Sequence, residues 1–161
     1  MARNKSQSAA PAAKSGVARP RRKMVRTSEE VQRWSALLAE EMVSWPNVRS
    51  KPMFGFYAYY RGEVLFTILP RTRGFDSGRL LILKFNPMPE ELLQRARGDA
   101  RLDTSTRVPG KGWFTFELAS EDDLRDALWW MQQAFACAAG PPRERVNRKR
   151  VAPRKKPRRT R

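Results

Sequence analysis

The chain has 161 residues, 40% apolar and 30% charged, with a formal charge of +17 and no histidine. This length suits one ordinary domain. The missing imidazole excludes Ser–His and Cys–His nucleophilic machinery and any His-containing metal site. The single Cys137 excludes an internal disulfide and any multi-cysteine zinc or iron–sulfur site, and fits a reducing, cytoplasmic home.

The charge is unevenly placed. Residues 1–26 hold eight Lys/Arg and no acid, and residues 141–161 hold eleven Lys/Arg and one acid, Glu144. Fourteen basic and fifteen acidic residues remain for 27–140, which also contains all sixteen aromatics. The terminal segments consist mainly of Ala, Pro, Ser, Lys and Arg and cannot bury enough apolar area to offset chain entropy. They are expected to be disordered basic arms, 1–26 and 141–161. The middle segment, 27–140, is long enough to bury a core. No stretch approaches the roughly 18 apolar residues of a membrane span, so no membrane partner is expected. The N-terminus lacks the apolar run of a secretory signal, although its Arg, Ala and Ser content is also that of an organellar transit peptide.

Within the middle, Thr27-Ser28-Glu29-Glu30 reads as a capping box with Thr27 as N-cap. Val31, Trp34, Leu37, Leu38, Met42 and Trp45 follow at helical spacing, giving an amphipathic helix over about 28–45 that Pro46 closes. Residues 47–52 are short and polar, an edge-strand candidate. From Phe54 to Tyr60 the faces alternate, with Phe54, Phe56, Ala58 and Tyr60 on one side and Gly55, Tyr57 and Tyr59 on the other. Arg61-Gly62 supplies a two-residue hairpin turn into a strand from Glu63 to Leu69. Arg71 to Arg79, with two glycines, reads as a loop, and Leu80 to Phe85 as a buried strand. A short helix over Glu90–Arg97 and a polar connection from Gly98 to Gly112 come next. Trp113 to Leu118 is a strand with Phe114, Phe116 and Leu118 inward. Ser120 and Asp123 cap a last helix whose stripe is Leu124, Leu128, Met131, Phe135 and Ala138, ended by Gly140-Pro141-Pro142. These elements predict an α+β domain in two layers: an antiparallel sheet of four to five strands covered by the terminal helices.

The run Met53-Phe54-Gly55-Phe56-Tyr57-Ala58-Tyr59-Tyr60-Arg61-Gly62-Glu63-Val64-Leu65-Phe66, followed by Leu81-Ile82-Leu83-Lys84, resembles the TfoX N-terminal domain family. That family begins its sheet with Met-Phe-Gly, an aromatic-rich strand and a Gly turn, and continues with a Leu-x-Leu-Lys strand. The likeness covers about 50–138 and extends more loosely to YjbR-like DNA-binding and luciferase-domain families. It implies an α+β fold without an established catalytic centre, and a link to regulation. The second helical domain of longer TfoX proteins is replaced here by a basic tail.

The arms carry the strongest functional signal, because clustered Lys/Arg neutralise phosphates and release counterions. The candidate nucleic-acid-binding residues are Arg19, Arg21, Arg22 and Lys23 in the first arm, with Arg148, Lys149, Arg150, Arg154, Lys155, Lys156, Arg158 and Arg159 in the second. Their Arg-Pro flanks resemble minor-groove hooks without the Arg-Gly-Arg core, and no aromatic interrupts either arm. A solubilising tail, or an anionic membrane or other polyanion as partner, is the competing account.

Four sites in the middle have two readings each. The Arg71–Arg79 segment is a solvated loop or a phosphate fork. Lys84 is a snorkelling side chain or a desolvated amine. Tyr57, Tyr59 and Trp113, expected on the sheet face away from the helices, pack against loops or stack on bases. Glu121, Asp122, Asp123 and Asp126 complement a helix end or hold a metal. Cys137 reads as packing. The expectation is a non-enzymatic, regulatory, nucleoid-associated protein of the cytoplasm that binds nucleic acid, DNA ahead of RNA. It needs no cofactor and no metal, and it leaves room for a protein partner on the folded domain. The rival is a small ligand-binding or enzymatic α+β domain with incidental tails, having a pocket near Lys84 and the 71–79 loop.

Overall fold

The structure, a computed structural model, describes residues 23–103 and 112–139. The expected disorder of the arms therefore concerns residues almost wholly outside the described ones, with one exception at the end of the first. Met24–Arg26 is a strand, β1, that pairs antiparallel with β5 (Arg73–Phe75), setting Met24 opposite Phe75 and Arg26 opposite Arg73. Regular structure among the described residues thus begins before Thr27, and the 71–79 loop contains a strand. This ribbon depends on two glycines. A Cβ on Gly74 would lie 2.6 Å from the Gly78 Cα, closer than such atoms approach, and Gly78 has a φ of 76°, a conformation that side chains rarely adopt.

Helix α1 (Glu29–Val43) is capped by Ser28, whose hydroxyl accepts the Val31 N–H at 3.3 Å. The cap is one residue later than the capping-box reading places it. Thr27 is drawn away because its N–H donates to the Thr72 carbonyl and its side chain is buried. Val31, Trp34, Leu38 and Met42 are buried as the spacing predicts. Trp45 lies past the helix end, with its ring 5.0 Å from Phe135 and 6.0 Å from Phe66.

The main sheet has six antiparallel strands, more than expected: β2 (Val48–Met53), β3 (Phe56–Arg61), β4 (Val64–Pro70), β6 (Leu80–Lys84), β8 (Trp113–Glu117) and β7 (Leu102–Asp103), in that spatial order. β2 is an outer strand, as its polarity suggested. β7 forms within the stretch read as a polar connection. Arg61-Gly62 makes the β3–β4 turn, as read. Helix α2 (Glu90–Arg97) precedes β7, and α3 (Asp123–Cys137) is the last element among the described residues.

Both long helices pack on one sheet face, where Tyr59, Phe66, Leu81, Leu83, Phe85, Phe114 and Phe116 meet Trp34, Met42, Trp130 and Met131. The α3 stripe is rotated from the expected one. Ala127, Trp130, Met131, Ala134 and Ala138 are buried, whereas Leu124, Leu128 and Phe135 are only partly so. The small alanines let the backbone approach the sheet, and Trp130 fills the space beside them. On the opposite sheet face a second, smaller cluster forms from Phe56, Ala58 and Ile68, against which Met53, Tyr60, Leu65, Phe75, Ile82 and Trp113 pack.

A bulge divides residues between the faces. Tyr60 pairs with Leu65 and Tyr59 with Thr67, so Phe66 is the extra residue. It is fully buried in the helix-side core.

Candidate nucleic-acid interface

Of the twelve residues expected to contact nucleic acid, Lys23 alone lies among the described ones. It is exposed, and its carbonyl accepts the Asp76 N–H at 2.8 Å, anchoring the start of β1. From there the ribbon carries positive charge to the end of the sheet. Arg26 and Arg73 are opposed across it, and Arg71 follows Pro70; all three are exposed. None of the segments 23–28, 48–62 and 70–75 contains an acid.

The ribbon is fastened to the β2–β3 connection. Met53 pairs with Phe56, so Phe54-Gly55 is a two-residue hairpin turn, with φ of 48° at Phe54 and 91° at Gly55. Positive φ at both central residues is the pattern whose twist matches flanking strands, and Asn-Gly is its usual occupant. The Gly55 carbonyl accepts the N–H groups of Arg71, Thr72 and Arg73 at 3.0, 3.0 and 3.2 Å. A Cβ on Gly55 would come within 2.9 Å of the Arg73 Cβ, so only glycine lets the two turns meet. Phe54 is left pointing outward, 88% exposed. This differs from the alternation reading, which placed Phe54 with Phe56; the left-handed backbone ends the pleat before β3. Arg71 is partly held, with one N–H donating to the Tyr57 hydroxyl at 2.8 Å and its guanidinium 4.8 Å from that ring.

Tyr57 and Tyr59 do not share a face with Trp113. Both join the helix-side core, and Trp113 belongs to the opposite cluster. The alternation along β3 was read correctly, but its assignment to the helices was inverted. Burial, the neighbouring Tyr57 and, in the opposite sense, Arg71 act on the Tyr59 phenol, with a net upward shift. Lys84, on the same face as Trp113, is half-buried with its Nζ 5.2 Å from that ring. This is the position expected of a snorkelling lysine.

The acidic group at the start of α3 is organised by a residue the sequence did not single out. Arg101 donates from Nε to Asp99 at 3.0 Å, from one terminal nitrogen to Asp123 at 2.8 Å and from the other to Asp126 at 2.7 Å. Asp123 Oδ2 also accepts the N–H groups of Ala119 and Ser120, and Asp99 accepts the Trp130 indole N–H. Burial works to raise both carboxyls, but the Arg101 hydrogen bonds and the N–H donors outweigh it and hold Asp99 and Asp123 below their ordinary pKa. The same partners, Asp99 foremost, push the guanidinium further up. This is a structural tie, and among the described residues no group of three ligands could hold a metal ion. Burial raises the Cys137 thiol, in keeping with a packing role.

Two of the clefts lined by described residues are well defined. One, of about 360 Å³, has Arg95, Asp99, Arg101, Asp126, Trp129 and Trp130 on its walls, with the Arg95 guanidinium 3.9 Å over the Trp129 ring. The other, of about 440 Å³, lies between Asn47, Arg61 and Ala139. No helix among the described residues is long and apolar enough to cross a membrane. Comparison with protein-family models and with curated proteins gives no match.

Proposed function

We propose that the protein is a non-enzymatic, nucleic-acid-associated regulator that binds DNA ahead of RNA. It uses its basic segments for phosphate contacts and its folded part as an interaction module, and acts in the cytoplasm on the nucleoid. The observation that carries this reading is continuity of charge. The first basic segment runs through Lys23 into β1, where Arg26 is fixed opposite Arg73, and Arg71 is exposed two residues earlier in the chain than Arg73. A polyanion engaged by the arm is thereby led onto a cationic edge of the domain. The TfoX-like run at residues 53–84 agrees with a regulatory role without supplying a mechanism. Arginine forks suit phosphate, and such contacts position a protein without reading bases.

A salt titration of duplex DNA affinity tests this reading. If six to ten cations engage together, affinity falls about 10³–10⁵-fold between about 50 and 200 mM salt. Removing residues 141–161 flattens the slope without abolishing binding. A shallow slope in the full chain, or binding indifferent to removal of both 1–22 and 141–161, overturns it.

A further inference from the structure

Phe54 combines three features that packing does not explain. It is a large apolar side chain kept in water, 88% exposed. It occupies a left-handed turn position, φ 48°, where a residue with a bulky Cβ substituent is disfavoured and Asn, Asp or Gly is usual. And it is fixed, because the neighbouring Gly55 carbonyl holds three successive N–H groups of the Arg71–Arg73 segment. Strained, rigid and exposed positions of this kind mark function more often than stability. Met53, the next apolar residue along the chain, is packed into the second core cluster, so the ring stands alone at the tip. The backbone of Arg71–Arg73 is held against the adjoining Gly55, and Arg26 pairs opposite Arg73.

We propose that Phe54 is a stacking platform for one unpaired base, and that Arg71 and Arg73 hold the phosphates on either side of it, so that the tip selects single-stranded over duplex nucleic acid. The proposal rests on the nucleic-acid reading above and deepens it. Every base offers a π-face, so stacking needs no sequence match, and guanidinium forks fit the flanking phosphates. In a duplex that face is covered by neighbouring pairs, and a ring on a short rigid turn does not reach it. A membrane surface is less well matched. A wedge into lipid draws on several contiguous apolar side chains, and this tip presents one ring among guanidiniums.

The test uses the full chain and its Phe54→Ala and Phe54→Trp variants. Each is titrated with a mixed-sequence single-stranded oligonucleotide, with the duplex of the same sequence, and with vesicles containing phosphatidylserine. The alanine variant should lose about 5- to 100-fold in single-strand affinity, the range of one base–aromatic stack, while duplex affinity stays constant. The tryptophan variant should retain single-strand affinity. The loss should persist at about 200 mM salt, because stacking releases no counterions. Single-strand affinity unchanged by Phe54→Ala, or an equal loss on both nucleic acids, overturns the stacking role and leaves the phosphate reading standing. Phe54-dependent binding to vesicles alone overturns it in favour of a membrane surface. If the wild-type chain binds neither nucleic acid, the stacking role and the reading beneath it both fail.

Discussion

Arg101 and Asp123, 22 positions apart in the chain, meet at 2.8 Å and tie the turn after α2 to the first turn of α3. The same guanidinium reaches Asp99 and Asp126, so one side chain bridges three carboxylates. Asp99 and Asp123 are mostly shielded from water, whereas Asp126 is 48% exposed. Removal of Arg101 would leave two shielded carboxylates without their cation. Arg101→Ala is expected to cost about 2–4 kcal/mol, and Asp126→Asn under about 1 kcal/mol. Urea denaturation of the three proteins checks both values. Equal, small effects would mean that the cluster is a surface ion pair and no more.

The same cluster sets an acid limit. The folded pKa of Asp99 and Asp123 lies below the ordinary 3.8. Their contribution is therefore complete above about pH 5 and is lost as pH falls through 4 towards the lowered values. With no histidine in the chain, no imidazole adds a step between pH 5 and 8. Stability measured by urea titration across pH 2–8 should be level above pH 5 and fall below it. The fall should be shallower in Asp123→Asn. A mid-range step of similar size would contradict this assignment.

Gly74 is the residue on which the β1–β5 ribbon depends. Gly74→Ala forces a Cβ to within 2.6 Å of the Gly78 backbone and should detach the ribbon at a cost of about 2 kcal/mol or more. Trypsin should then cleave after Arg73 well before it does so in the wild-type protein. Unchanged cleavage and melting temperature would show that the two backbones can separate without loss.

The strand β1 also moves the boundary of the stable unit. A fragment of residues 23–139 retains the Met24–Arg26 pairing and the carbonyl of Lys23 that accepts from Asp76. One of residues 27–139 does not, and leaves Phe75, stacked 4.9 Å from Phe56, without its partner strand. The longer fragment is expected to melt several degrees higher, in proportion to about 1 kcal/mol. Coincident melting curves would return the boundary to Thr27.

What could be read from the sequence followed local rules. α2, the Arg61-Gly62 turn, the strand at Leu80–Lys84 and the inward face of β8 all follow from periodicity and turn chemistry confined to a few neighbours. The departures come from contacts between distant segments. β1 and β5 are each three residues long and pair across more than forty positions, with β5 followed by a turn in which Gly74 lies against Gly78. Thr27 loses its cap position to a hydrogen bond with Thr72. The bulge at Phe66 and the inverted face of Tyr57 and Tyr59 depend on how the helices settle, which alternation along one strand does not specify. Arg101 stood in a stretch with no pattern at all, and its three partners are gathered only by folding. At the candidate site, the cationic character of 71–79 was legible. The exposure of Phe54 was not, because Phe-Gly reads as the start of an aromatic strand until the pairing of Met53 with Phe56 makes it a turn.

The outer strand β2 exposes Arg49, Ser50, Lys51 and Pro52. Proline brings no N–H to a passing strand, and a second copy laid edge to edge would set lysine near lysine. At the far side the described part of the edge, β7, is two residues long. On the β2 side, a partner that recognises its target by adding a strand would therefore meet a missing N–H and a row of cationic and polar side chains, which weigh against that mode of recognition.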